Sequence, residues 1–147
     1  MQLQFESLGL ESLQLETFVD GQELLKRVTE ILNGIDPKTI SGRDIQPLKL
    51  IISDIQMPVI NGWETIKKLK ELYSRKQEQI DQVKSEYTVV TLQLPYLVIH
   101  TANYIDSKTR KKIQQENIDA IVEKPISLNW LKKLLKDSGV TQEWITN

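Results

Sequence analysis

Three polar residues of this chain each come at or just after the end of an apolar segment. They are Asp54, Thr101 and Lys124, which carry a carboxylate, a hydroxyl and an ammonium group. Apolar segments this dense are typical of strands that are buried on both faces of a parallel sheet. Open α/β sheets place their ligands at the carboxyl ends of such strands. We therefore expect Asp54 to be a functional carboxylate, although a carboxylate in this place can also simply cap a loop.

The motifs around these residues resemble those of response-regulator receiver domains. The matching motifs, in the family's order, are Asp54 with Met57-Pro58 and Gly62, then Thr101-Ala102, then Lys124-Pro125. The resemblance covers most of the chain, about residues 8–138. It implies a flavodoxin-like α/β fold, in which a doubly wound parallel sheet has strand order 2-1-3-4-5.

The resemblance also implies phosphoryl transfer to a carboxylate, a reaction that depends mainly on positioning and charge neutralisation. By resemblance, Asp54 is the phosphoacceptor, Thr101 donates to a phosphoryl oxygen, and Lys124 supplies positive charge to the same oxygens. The family has the bond between Lys124 and Pro125 in cis, a minority isomer of X–Pro bonds. We therefore predict a cis bond at Pro125.

A divalent cation completes the site in this family. The resemblance implies Mg²⁺, which prefers oxygen ligands, bound by Asp54 and by the main-chain carbonyl of Gln56. The side chains of Gln56 and Asn103 occupy positions that tune phosphoryl loss in the family. Ile121 stands where the family has its switch aromatic, and an aliphatic residue cannot swap positions as an aromatic ring does. The usual coupling between Thr101 and that ring is therefore not expected.

The two adjacent acidic residues that hold the metal in this family have no counterpart near the start of the chain. Met1, Phe5 and Leu8 have helical spacing, and Gly9 is typical of a helix end. We interpret this segment as the end of the family's first helix, with the first strand absent or degenerate. The alternative is a short surviving strand around Leu3 and Phe5 that lacks the acids.

Loss of the first strand predicts an incomplete sheet. A central strand buries about five apolar side chains, at roughly 1.5–3 kcal/mol each. We therefore expect the chain to be marginally stable, or to be completed by an upstream segment or by a strand from a partner. Glu6 and Glu11 are alternative metal ligands, although solvated surface glutamates explain them as well.

Residue patterns place the helices and loops around the site. Residues 12–19 alternate as in a strand and match the family's second strand. Asp20, with Glu23 three residues later, predicts a helix start, and that helix stops near Gly34. Residues 35–47 predict a loop longer than the family needs. Ser127 and Gly139 predict the start and end of the last helix.

Residues 74–93 predict an insertion within a receiver-like domain of residues 1–138, which residues 139–147 follow as a tail. The insertion is interpreted as a helix extension and a loop. The alternative is a contact with a partner through Val89, Val90 and Leu92.

The single histidine, His100, directly precedes Thr101. Neighbouring residues of a strand point to opposite faces, so His100 is expected to face away from Thr101. A packed or hydrogen-bonded histidine is the preferred interpretation over a phosphorelay histidine.

Composition limits the classes of function. The chain has 147 residues, enough for one domain, and its net charge of −1 gives no general attraction to nucleic acid or membranes. It has no cysteine, no apolar run of membrane-spanning length and no secretory signal pattern. We expect a protein of the cytoplasm, or of the cytoplasmic side of a membrane-bound hybrid kinase.

The resemblance to receiver domains, together with the missing acidic pair, implies one of two functions. The first is a receiver module of a phosphorelay that accepts a phosphoryl group on Asp54 from a histidine kinase or a histidine phosphotransfer protein. The alternative is a phosphorylation-incompetent pseudo-receiver that binds proteins as a scaffold. Neither is an enzyme beyond self-catalysed phosphorylation and dephosphorylation. A flavodoxin-like enzyme would need a glycine-rich or aromatic cofactor loop after a strand, and none is found in the sequence.

Overall fold

The computed structural model describes residues 16, 18, 20–40, 43–54, 61–84, 89–102 and 105–140. The helices in these residues are α1 (Gly21–Asn33), α2 (Gly62–Val83), α3 (Ser107–Gln115) and α4 (Leu128–Asp137). The strands are β1 (Asp44–Ile45), β2 (Leu50–Asp54), β3 (Thr91–Leu92), β4 (Tyr96–Thr101) and β5 (Ala120–Glu123).

The central feature is a parallel sheet in the order β2-β4-β5. Asp54 pairs with His100 at the end of β2, and Thr101 pairs with Glu123 at the end of β5. The three carboxyl ends therefore meet at one edge of the sheet. This order matches the third, fourth and fifth strands of the expected topology. The segment interpreted as the end of the family's first helix, or alternatively as a short first strand around Leu3 and Phe5, falls outside the described residues, as does most of the predicted second strand.

Helices cover both faces of this sheet. One face packs against α1 and α2 through Ile51, Leu97, Ile99 and Ile121. Along each strand, these residues alternate with those that face the other side of the sheet. The other face packs against α4 through Ile52, Val98 and Val122. This layered, parallel α/β arrangement confirms the flavodoxin-like fold class predicted from the sequence.

Each of the four described helices begins at a polar residue whose side chain accepts a hydrogen bond from a backbone N–H three residues later. These residues are Asp20, Asn61, Asp106 and Ser127. The starts predicted at Asp20 and Ser127 are therefore confirmed. Gly139 has a φ angle of 79°, a left-handed conformation that suits glycine after a helix, and the backbone N–H of Val140 donates to Leu135.

A second pair of parallel strands is formed by β1 and β3. In the chain, β1 comes shortly before β2, and β3 comes shortly before β4. Ile45 pairs with Leu92, whereas the next pair is Leu50 with Tyr96. The segment that joins β1 to β2 is therefore one residue longer than the segment that joins β3 to β4. Both segments carry a proline there, Pro47 and Pro95, and proline cannot donate to a strand ladder.

The short strand β1 corrects the expectation that residues 35–47 form only a loop. Its partner β3 lies far away in the sequence, so no local pattern announces the pairing. For residues 74–93 the structure shows the helix extension, whereas residues 91–92 form the strand β3 rather than a loop. Residues 74–83 continue α2, and Val90 and Leu92 are buried in the protein's own core, at 2% and 8% exposure. These two side chains are therefore not available to a partner, whereas Val89 is 70% exposed.

Candidate functional site

An ion pair joins two ends of the central sheet. Asp54 is the last residue of β2, and Lys124 directly follows the last residue of β5. The ammonium Nζ of Lys124 donates to Oδ2 of Asp54, across the intervening end of β4. The side chain of Asp54 is 30% exposed and that of Lys124 is 37% exposed. A carboxylate is therefore held beside a fixed positive charge while it stays accessible to solvent.

Thr101 ends β4 between these two residues and is 2% exposed. Its backbone carbonyl accepts a hydrogen bond from the backbone N–H of Lys124 at 2.8 Å. This bond fixes the start of the segment that carries Lys124 relative to the end of β4. The structure thus brings Asp54, Thr101 and Lys124 to one edge of the sheet.

The segment after Lys124 is held in the core. The peptide bond between Lys124 and Pro125 is cis, the isomer that the resemblance implies. Ile126 is buried at 4% exposure against the α4 side of the sheet, and Ser127 caps α4. Buried packing on one side and a helix cap on the other fix where the lysine lies.

His100 is the residue next to Asp54 across the strand pair. Its ring nitrogen Nε2 is buried and has no hydrogen-bond partner in the part of the chain that the structure describes. Burial lowers the pKa of His100 below its ordinary value, and the charge of Lys124 lowers it further, while Asp54 opposes this. His100 lies on the α4 face, since Val98 two residues earlier packs there, so it faces away from Thr101 as predicted.

The position of His100 beside the site was not predicted from the sequence. Both His100 and Asp54 lie near the ends of apolar segments, and this shared position was a signal in the sequence that they could lie at the same edge of the sheet. The register between β2 and β4 was needed to show that they are direct neighbours. Ser53, the buried residue before Asp54, donates its hydroxyl to the Asp54 carbonyl at 3.2 Å. That bond fixes the backbone just before the strand ends.

The remaining site positions are described in part. Gln56 and Asn103 lie outside the described residues. Ile121 is half-buried and packs against the cluster on the α1 and α2 face. Within the described ranges, no group of three or more histidine, aspartate and glutamate side chains could hold a metal ion. Among the described residues, Asp54 is the carboxylate that pairs with Lys124 at this edge, and the described residues do not by themselves complete a magnesium site.

Two surface grooves lie elsewhere, along α2 and the end of α3. Their volumes are about 440 and 450 Å³, and both are lined by Lys67, Glu71 and Glu116. Acidic and basic side chains are mixed in these grooves, and neither groove includes Asp54. None of the helices in the described residues combines the length and the apolar character that crossing a membrane requires.

No family model matches the sequence. The fold is similar to that of a two-component response regulator from Legionella pneumophila, with a TM-score of 0.51 and 22% sequence identity. The similarity covers 96% of this chain and 93% of that chain. The fold is therefore the flavodoxin-like α/β fold of response-regulator receivers.

Proposed function

We propose that this protein is a receiver module of a two-component phosphorelay. It accepts a phosphoryl group on Asp54 from the phosphohistidine of a histidine kinase or a histidine phosphotransfer protein. The observation that carries the proposal is the ion pair of Asp54 with Lys124 at the carboxyl edge of a receiver-type sheet. This edge is where folds of this class present their reactive groups.

The chemistry of the proposal is a direct transfer. An oxygen of the Asp54 carboxylate attacks phosphorus, the new P–O bond forms, and the P–N bond to the donor imidazole breaks. The donor nitrogen keeps the electron pair of that bond. Lys124 already contacts the carboxylate, so its charge lies where the negatively charged phosphoryl oxygens arrive. The Thr101 hydroxyl is the proposed second donor to the phosphoryl group.

Mg²⁺ is the cation that we propose for this reaction, with Asp54 and the main-chain carbonyl of Gln56 as ligands. A divalent ion held by oxygen atoms would neutralise charge on the incoming group. The roles of the chain's own residues given above do not depend on the geometry of this ion.

Intact mass tests the proposal directly. The protein is incubated with acetyl phosphate, with Mg²⁺ and with EDTA, beside Asp54→Asn and the control Glu123→Gln. Glu123 is an exposed carboxylate at the end of the neighbouring strand β5. We expect the mass of one phosphoryl group to be added to the wild type and to Glu123→Gln when Mg²⁺ is present. No gain in the wild type, or an equal gain in Asp54→Asn, would show that Asp54 is not a phosphoacceptor.

A second function is a pseudo-receiver that works as a protein-binding scaffold. The observation that favours it is the lack, among the described residues, of an acidic cluster able to hold a metal. In that case Lys124 and Asp54 form a structural ion pair, and neither acetyl phosphate nor a phosphohistidine donor adds mass at Asp54. The same experiment therefore decides between the two functions.

A further inference from the structure

His100 lies beside the proposed phosphoacceptor on the same face of the sheet. Asp54 and His100 are paired residues of β2 and β4, and neighbouring strands lie about 5 Å apart. Ile52 and Val98, two residues earlier on each strand, both pack on the α4 face. Because side chains alternate along a strand, Asp54 and His100 project from the same face. A group added to Asp54 therefore grows beside the imidazole.

The imidazole has a buried atom that lacks a partner. Nε2 of His100 is inaccessible to solvent and makes no hydrogen bond within the described residues. Buried polar side-chain atoms are nearly always hydrogen-bonded, so such an atom calls for an explanation. A partner that is present at only one stage of the protein's cycle would provide one.

The ring is able to donate a hydrogen bond. An imidazole carries at least one N–H in either of its protonation states, so Nε2 can be a donor. Burial first and the charge of Lys124 second lower the pKa of His100, with Asp54 acting in the opposite direction.

We propose that His100 donates a hydrogen bond from Nε2 to the phosphoryl group on Asp54 and slows the hydrolysis of that group. This inference rests on the proposed function. A phosphoryl group brings strong acceptor oxygens to the side of Asp54 where Nε2 has no partner. In hydrolysis, the oxygen of a water molecule bonds to phosphorus and the bond between phosphorus and Asp54 breaks. The Asp54 carboxylate keeps the electron pair of that bond, and phosphate leaves with both protons of the water. A hydrogen-bonded imidazole holds the group and covers one side of it.

The histidine composition allows a direct spectroscopic test. His100 is the single histidine, so untagged protein labelled with ¹⁵N-histidine gives one pair of imidazole nitrogen signals. Beryllofluoride with Mg²⁺ is the probe, because it imitates a phosphoryl group on a carboxylate. We expect the Nε2 signal to shift and an Nε2–H proton that exchanges slowly with solvent to appear.

A parallel mass measurement with acetyl phosphate tests the receiver function separately from the role of His100. Unchanged imidazole signals in a protein that gains a phosphoryl group at Asp54 would overturn the role of His100 and leave the receiver function intact. If no phosphoryl group is gained at Asp54, both the receiver function and this inference are wrong. Beryllofluoride added to Asp54→Asn is the control, and it should leave the imidazole signals unchanged.

Two variants test the effect on lifetime. His100→Leu keeps the packing but cannot donate, whereas His100→Gln keeps a donor nitrogen at a similar reach. After removal of acetyl phosphate, we expect the phosphoryl group to be lost about three- to tenfold faster from His100→Leu, the factor produced by loss of one neutral hydrogen bond. His100→Gln should largely restore the wild-type lifetime. Equal lifetimes in His100→Leu and the wild type would contradict the proposal.

Discussion

The side-chain amide of Gln77 accepts a hydrogen bond from the backbone N–H of Leu92 at 2.7 Å. The same amide donates to the carbonyl of Val90 at 2.8 Å. On its other edge, β3 pairs with β1, where Thr91 donates to Arg43. Gln77 therefore binds the backbone edge of β3 that β1 leaves open, and it ties α2 to the strand. Open strand edges promote unwanted pairing, and this one is closed by a side chain.

Replacement of Gln77 by alanine tests this arrangement. The variant leaves the Val90 carbonyl and the Leu92 N–H without their partners, so we expect the free energy of unfolding to fall by about 1–3 kcal/mol. Urea denaturation followed by circular dichroism measures the change. Gln79→Ala is the matched control, because Gln79 is exposed on the same helix. A loss in Gln77→Ala no larger than that in Gln79→Ala would show that the amide contributes little.

Tyr73 carries a buried hydroxyl with no hydrogen-bond partner among the described residues. Tyr73→Phe removes that hydroxyl and keeps the ring in the core, where Tyr73 is 4% exposed. We expect the free energy of unfolding at pH 7 to stay the same or to rise by about 1 kcal/mol, because no bond is lost and an unpaired polar group is removed. Thermal and urea unfolding measure this. A large loss of stability would mean that the hydroxyl is engaged.

The same tyrosine predicts a pH dependence. Burial raises the pKa of Tyr73 from 10.0 to about 12. Because the folded state favours the neutral phenol, this contribution to stability is complete below pH 10 and is lost as the pH rises towards 12. Between these values the wild type should lose up to about 1.4 kcal/mol per pH unit more than Tyr73→Phe. Urea denaturation of both proteins at pH 9 and pH 11 measures the difference, and parallel profiles would contradict it.

Lys124 is expected to control the rate of phosphorylation. Lys124→Met removes the positive charge beside Asp54, and we expect phosphorylation by acetyl phosphate to slow about a hundredfold, as when one preorganised donor is lost from an active site. Time-resolved intact mass measures the rate. Lys133→Met is the control, because Lys133 lies over the Trp130 ring on α4, 4.8 Å from its centroid. Equal phosphorylation rates in the two variants would show that Lys124 does not contribute to the reaction.

Lys70 anchors the end of α3. Its Nζ, on α2, donates to the carbonyl of Glu116, and α3 itself has no buried residue. We expect Lys70→Met to speed amide hydrogen exchange in α3 with little change in exchange of β4, because local opening depends on the few contacts that hold an element. Exchange measured by mass spectrometry tests this. Lys67→Met, exposed one turn earlier on α2, should leave the exchange of α3 unchanged.

Local sequence signals were sufficient for much of the fold. The helix starts at Asp20 and Ser127 were predictable because a cap joins residues only three positions apart. The strands before Asp54, Thr101 and Lys124 were predictable because a buried parallel strand is apolar along its whole length. The order of these motifs was also enough to name the fold class.

Other relationships were decided by the tertiary structure alone. The pairing of β1 with β3, the bonds of Gln77 and the position of His100 beside Asp54 all join segments that are distant in the chain. Backbone donors and acceptors are chemically alike in almost every residue, so the sequence does not state which of them pair. Register is fixed only when side chains pack into a common core. The sequence thus determined which groups stand at the edge of the sheet, and packing determined which of them are neighbours.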